Sequence, residues 1–221
     1  MSFKRGALIV LEGCDRSGKS TQCKRLVEAL NNKGIPSQLM RFPDRSTAIG
    51  KIINEYLTNK AELSDKAIHL LFSANRWELE PTMRKLLQEG TTLVIDRYSY
   101  SGVAFSGAKK NMSLEWCLQP ESGLPKPDLV FLLSLKPEAL EKRGGFGNER
   151  YEDTEMQKRV AENFRSLQKD YWKVSSYLLI LSMVLAMVFN EKSIRVLKLV
   201  IRCYSFHNGC VAPLTESCFD A

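Results

Sequence analysis

Residues Gly13-Cys14-Asp15-Arg16-Ser17-Gly18-Lys19-Ser20 form a complete G-x-x-x-x-G-K-S, placed directly after the apolar run Ala7–Leu11 and directly before an amphipathic stretch. A glycine loop between a buried strand and a helix closes around phosphate oxygens. Its backbone N–H groups turn inward, and the helix N-terminus adds partial positive charge. In that setting Gly13, Ser17 and Gly18 frame the loop, Lys19 reaches the β- and γ-phosphates of a nucleotide, and the Ser20 hydroxyl meets Mg²⁺. A glycine turn that merely happens to precede Lys-Ser would not need the strand and helix on either side. Behind Lys4 and Arg5 the apolar run has the outline of a signal peptide, but it is too short for one and leads straight into the loop, so it is read as a first buried strand.

Short apolar runs then alternate with longer amphipathic ones, which is the pattern of βαβ units and of an α/β fold built on a parallel sheet. Strands are expected at Ala7–Leu11, Gln38–Phe42, Thr92–Ile95 and Leu129–Leu135. Helices are expected from Ser20 to Lys33, ending at Gly34, over Ser64–Leu87 with a bend near Pro81, and from Thr154 to about Tyr171. At 221 residues and 44% hydrophobic the chain can bury one good core, so a single domain over 1–221 is expected.

A net charge of +7 suits an anionic substrate, a nucleic acid or an acidic membrane surface equally well. Basic and aromatic residues are not interleaved as a nucleic-acid surface requires, so no nucleic-acid partner is expected. The uncharged run Tyr177–Phe189 falls short of the ~20 residues that span a bilayer. Lys192, Arg195 and Lys198 beyond it leave weak interfacial contact as the alternative to a buried element. Cys14, Cys23 and Cys117 lack a paired spacing and read as reduced thiols; Cys203, Cys210 and Cys218 with His207 lack the C-x-x-C spacing of a zinc site.

Asp96-Arg97 closes the apolar run Leu93-Val94-Ile95, at the carboxyl end of a strand, where open α/β sheets bind ligands. Asp96 is placed to serve a metal and Arg97 a phosphate; a helix N-cap or an ion pair with Arg97 is the structural alternative for Asp96. Arg45, also just past a strand, can grip a monophosphate bidentately or remain a solvated loop residue.

Six segments in order resemble eukaryotic thymidylate kinase. They are Leu11 through Thr21, Arg41-Phe-Pro-Asp-Arg-Ser-Thr47, Leu71-Phe-Ser-Ala-Asn-Arg-Trp-Glu78, Asp96-Arg-Tyr98, Ser101-Gly-Val-Ala-Phe105 and Gly123-Leu-Pro-Lys-Pro-Asp128. The resemblance runs from residue 5 to about 174. It implies a three-layer α-β-α P-loop nucleoside triphosphate hydrolase fold of the nucleoside monophosphate kinase type, with transfer of the γ-phosphate of Mg-ATP to thymidine monophosphate.

By resemblance, Phe72 stacks on thymine and Arg76 bonds a base carbonyl, and their four-residue spacing puts both on one helix face. Core packing is the alternative for Phe72. Asp15 meets the deoxyribose 3′-hydroxyl and Phe105 crowds the sugar. Arg45 and Arg97 hold the acceptor phosphate, and Phe42 and Gly102 belong to the substrate site. Gln157 is a lid contact, with an ordinary surface residue as its alternative. Arg16 neutralises charge on the migrating group, and Thr21 and Arg143 join the ATP site. The stretch Arg143–Glu152 resembles a glycine-rich lid, about 136–157, whose arginines approach ATP. A homodimer and a cytoplasmic, or also nuclear, location are implied in the same way. Residues 175–221 depart from the family pattern, so a nucleotide-binding protein with impaired turnover is the competing expectation.

Overall fold

The structure, a computed structural model, describes residues 5–133 and 149–175; the expectations for Arg143, for most of the lid and for the tail lie outside them. The described residues all belong to one compact unit, 1–181.

Along the chain β1 (Leu8–Glu12) leads through the glycine loop to α1 (Lys19–Asn31), then to β2 (Ser37–Arg41) and α2 (Ala48–Leu57). Next come α3 (Asp65–Trp77), α4 (Glu80–Gln88), β3 (Thr92–Asp96), α5 (Ser99–Gly107), α6 (Leu114–Leu118) and a 3-10 turn at Gln119–Glu121. β4 (Leu129–Leu133), α7 (Thr154–Ser166) and β5 (Trp172–Ser175) complete the described part. All strands are parallel, in the order β2-β3-β1-β4-β5. The α/β fold with a parallel sheet is therefore as expected.

Register places the functional ends together. Asp96 lies beside both Leu11 of β1 and Arg41 of β2, while Glu12 lies beside Leu132 of β4. The carboxyl ends of β1, β2 and β3 thus form one edge, where ligands bind in open α/β sheets. β1, β3 and β4 are buried throughout, as strands covered on both faces must be. Alternation sends Leu8, Val10, Leu93, Ile95, Val130 and Leu132 into one core with Met83 and Leu87 of α4, Val103 of α5 and Val160 and Phe164 of α7. On α1 the residues Cys23, Leu26 and Leu30 are buried. β2 is half exposed, in keeping with its place at the sheet edge.

Four expectations need correction. The helix over 64–87 is two helices: Ser64 caps α3 by accepting from Ala67 N, and Pro81, which cannot donate to a preceding carbonyl, opens α4 instead of bending one long helix. The last helix stops at Ser166, not Tyr171, and the chain then pairs as β5 along β4. β5 was not expected, because its four residues alternate too briefly to signal a strand. Helices α2, α5 and α6 were not expected either; α5 is almost wholly buried and so lacks a helical stripe.

Phe164 is about 1% exposed at the heart of the main core. Phe164→Ala should cost about 3–5 kcal/mol in urea unfolding, whereas Arg25→Ala on the exposed face of α1 should stay within about 0.5 kcal/mol.

Candidate active site

Gly18 (φ 88°) begins α1, and Gly13 (φ 139°) lies so close to β4 that a Cβ there would sit 2.4 Å from the Leu133 carbonyl oxygen. Glycine is thus required at both ends of the loop. Within it Lys19 is buried; its Nζ donates to the Cys14 carbonyl at 2.6 Å and to Ser17 Oγ at 3.0 Å. Burial, together with the nearby Arg97 charge, pulls the Lys19 ammonium from its ordinary 10.5 down to about 7, against the pull of Asp15, Asp96 and Glu12. Ser20 Oγ donates to Asp96 Oδ2 at 2.5 Å, which joins the helix start to the end of β3.

Asp96 forms neither of its structural alternatives. The first turn of α5 has no side-chain cap from its N-cap residue, and the cation near the Asp96 carboxylate is Arg41, whose Nε is 3.6 Å away. Arg97 turns back to the phosphate loop. In a left-handed conformation (φ 67°), it donates to the Gly13 carbonyl at 3.0 Å, to Asp15 Oδ1 at 2.5 Å and to Ser101 Oγ at 3.3 Å. Glu12, a carboxylate at the end of an apolar strand, accepts from Tyr98 N at 3.0 Å, from Ser101 N at 3.1 Å and from the Ser101 hydroxyl. These bonds replace the missing cap of α5. Burial pushes the Glu12 carboxyl above its ordinary value, while Ser101 and Arg97 oppose the shift.

A cavity of about 440 Å³ opens over this edge. It is lined by Asp15, Arg16, Gly18, Lys19, Ser20, Thr21, Phe42, Arg45, Phe72, Arg76, Asp96, Arg97, Gly102 and Phe105, so one site collects most of the side chains singled out from sequence. Arg41, Tyr151, Glu149 and Glu152 also line it and were not anticipated there.

At the cationic end Arg16 (φ 57°) bonds Glu152 Oε1 at 3.2 Å, and Arg45 bonds Glu149 at 2.8 Å and Asn54 Oδ1 at 2.9 Å. Arg45 is thus an exposed loop residue that is nonetheless held by two side-chain contacts. Its loop is held by Asn75, which accepts from Asp44 N at 2.7 Å and donates to Asp44 O at 3.1 Å and Thr47 Oγ1 at 3.0 Å. At the apolar end Phe42 is buried and tilted against Tyr98 at 5.7 Å, and Phe105 lies beneath the Arg97 guanidinium at 5.0 Å. Phe72 packs on the small core of Ile53, Tyr56, Leu57 and Ile68, as its core-packing alternative has it, and also lines the cavity. Arg76 is buried and paired with Glu121.

The structure gives specific partners to two residues expected at the lid. Gln157 is neither a surface residue nor part of the cavity wall. It is buried on the first turn of α7, accepting from Asp15 N at 3.0 Å and donating to Asp15 Oδ2 at 2.6 Å, so it supports the phosphate loop from behind. Arg150, expected to approach ATP, caps the end of α2 in this structure. It donates to the Tyr56 carbonyl at 3.0 Å, the Ala61 carbonyl at 3.2 Å and Glu62 at 3.0 Å, with its guanidinium 4.2 Å from the Tyr56 ring. A charged residue ending an apolar strand was the available signal for Glu12. Asn75 and Glu121 gave none, since their partners lie 31 and 45 residues away.

Cys14, Cys23 and Cys117 are free, in keeping with reduced thiols. Among the described residues no helix is long and apolar enough to cross a membrane.

A parallel sheet that feeds a glycine loop, a buried lysine and an acid at the next strand end defines a P-loop phosphoryl-transfer enzyme. The thymidylate kinase family model matches residues 11–181. Thymidylate kinases of Danio rerio and Homo sapiens are each 55% identical over 177 residues, covering 79% of this chain and 84% of their own. A solved thymidylate kinase from Candida albicans superposes with a TM-score of 0.74 at 37% identity, covering 96% of this chain and 99% of its own. The chain belongs to the thymidylate kinase family and is an ATP-dependent nucleoside monophosphate kinase.

Because the folded chain binds the Lys19 proton more weakly than the unfolded chain, the unfolded state carries the extra proton from about pH 7 towards 10.5. Stability should therefore rise with pH across that window. Urea unfolding should show the wild type gaining on Lys19→Met between pH 7 and pH 9.5; a constant difference would contradict the depressed lysine.

Proposed function

We infer that this cavity carries out the chain's reaction, transfer of the γ-phosphate of ATP to thymidine monophosphate, with the donor phosphates in the loop 13–20 and the acceptor phosphate between Arg45 and Arg97. The observation that carries this reading is the convergence of Arg16, Lys19, Arg45, Asp96 and Arg97 on one cavity whose other end is built from Phe42, Phe72, Arg76 and Phe105. Charge for two phosphoryl groups and an apolar slot for a planar base lie in one space.

Phosphoryl transfer needs little covalent help, so the work is positioning and neutralisation of charge spread over the migrating group. Lys19, with its proton held loosely by burial, gains it firmly when anionic phosphate arrives. Arg16, at the cavity wall, meets the migrating group. Arg97 is held at the cavity by Gly13, Asp15 and Ser101, and the acceptor phosphate competes with the Asp15 carboxylate for its guanidinium. Ser20 and Asp96 offer adjacent oxygen ligands of the kind a hard divalent cation takes, and they would hold the Mg²⁺ that enters with ATP. That ion supplies further neutralisation of the phosphate oxygens.

Phe72 offers a face for thymine and Arg76 a donor for a base carbonyl. Asp15 offers an oxygen to the sugar 3′-hydroxyl, and Phe105 leaves little room beside C2′. Ile52, Leu70, Trp77 and Leu118 are exposed apolar residues on α2, α3 and α6, and they support association of two copies. A cytoplasmic or nuclear setting completes the reading by family membership.

Coupled ADP release with Mg-ATP and thymidine, uridine, cytidine and adenosine monophosphates tests this directly. Turnover should favour the thymine nucleotide, and Arg97→Ala should lower kcat/KM by about 100- to 1,000-fold. Folded protein that released no ADP with any acceptor would overturn the reading and leave a binding protein with impaired turnover.

A further inference from the structure

Arg76 sits in the last turn of α3, and its guanidinium is 3% exposed. Its partner is Glu121, 5% exposed, on the 3-10 turn 119–121. Nε donates to Glu121 Oε2 at 2.7 Å and one terminal nitrogen, NH2, donates to Oε1, a two-pronged contact that fixes the plane of the guanidinium as well as its position. The other terminal nitrogen, NH1, has no hydrogen-bond partner among the described residues, and Arg76 lines the cavity. α5 also packs closely against the group: a Cβ on Gly102 would come within 2.5 Å of NH2 and 3.1 Å of NH1.

Glu121 is itself anchored. The Pro120 carbonyl beside it accepts from Trp77 Nε1 at 2.7 Å and from Ser73 Oγ at 3.0 Å, and the Gly123 carbonyl accepts from Arg84 at 2.9 Å. The turn is thereby tied to α3 and α4, so Glu121 stands as a fixed abutment.

We propose that Glu121 is a positioning residue that sets base preference, by holding Arg76 so that a single N–H edge faces the base. This rests on Arg76 being the residue that meets the base. A guanidinium has donors only. Held by Glu121 on one side and walled by Gly102 on another, it cannot rotate away from a base that offers a donor of its own. A pyrimidine with a carbonyl at C4 satisfies it. One with an amino group there brings two donors together in a buried place and leaves both unpaired, and a site built on a hydrogen bond rejects a mismatched partner for that reason. With the carboxylate fork removed, the side chain can move aside or admit water, and the penalty against the amino base falls. Glu121 lies 45 residues from Arg76 in the chain, so selectivity depends on a turn that does not touch the ligand.

The test is steady-state kinetics with thymidine and deoxycytidine monophosphates on wild type, Glu121→Gln, Glu121→Asp, Arg76→Lys and the Arg76→Lys/Glu121→Gln double variant, with a melting curve for each. Glu121→Gln should raise KM for thymidine monophosphate by about 10-fold, more than it changes kcat. It should also shrink the thymine-to-cytosine ratio of kcat/KM by about 10-fold. Glu121→Asp, which keeps the charge, should fall between Gln and wild type, and it reads the same ratio should the Gln variant fold poorly. In the Arg76→Lys background, Glu121→Gln should leave the ratio where it was. A ratio unchanged in both Glu121 variants, with activity towards both nucleotides lowered alike, would mean that the pair only stabilises the fold. A ratio unchanged by Arg76→Lys would instead overturn the assignment of Arg76 to the base.

Discussion

Arg97 is where the phosphate loop acquires its shape. A thirteen-to-twenty loop of glycines and small residues has no rigidity of its own, and here its inner surface is pinned by a side chain from the neighbouring strand end. Arg97 binds the Gly13 carbonyl and the Asp15 carboxylate, while its own backbone N–H donates to Leu11 at 3.0 Å. Asp15 is gripped from the far side by Gln157 of α7, and Ser101, which also contacts Arg97, is gripped by Glu12. One hydrogen-bonded chain thus joins β1, the loop, β3, α5 and α7. Removing a member of such a partly buried set leaves charge without compensation, a larger loss than the pair's own net contribution.

The same arrangement explains how a site so rich in cations is tolerated before any phosphate arrives. Arg97 is balanced by Asp15, Arg16 by Glu152 and Arg45 by Glu149. Glu149 and Glu152 flank Arg150 and Tyr151, and Arg150 is tied to the end of α2 by its backbone N–H on the Leu57 carbonyl at 3.0 Å as well as by its guanidinium. The arginine in this segment thus works as an anchor for two acids. An incoming phosphate must compete with those carboxylates. Lys19 differs: its contacts are neutral oxygens, and burial, not an acid, dominates its behaviour.

Legibility from sequence followed the range over which each feature is encoded. The glycine loop, the alternation of apolar runs and the Asp96-Arg97 pair are local, and the structure places them as read. Boundaries were lost where one residue decides them, as at Pro81, which begins a helix instead of bending one. α5 was lost because nearly every residue in it is buried, which erases the period that marks a helix at a surface. Gln157 is matched to a lid contact only by resemblance, with a surface residue as the alternative; its place behind Asp15 depends on the meeting of α7 with the loop, 142 residues earlier.

The division has a chemical meaning. The groups proposed to handle phosphate lie in the glycine loop and just past strand ends, so short motifs suffice to name them. Arg76, proposed to meet the base, depends on Glu121 and Gly102, which act through a side chain already in place and through the absence of one, and Arg45 depends in the same way on Asn75. Asn75 fixes the 44–47 loop that carries Arg45, and Gly102 matters because a methyl group there would meet a guanidinium that Glu121 does not allow to retreat. On the proposed reading, chemistry is thus written mainly in contiguous residues and selectivity in distant ones. Under the proposed role of Glu121, a change in acceptor preference is more accessible through residues that line no part of the cavity than through the phosphate loop.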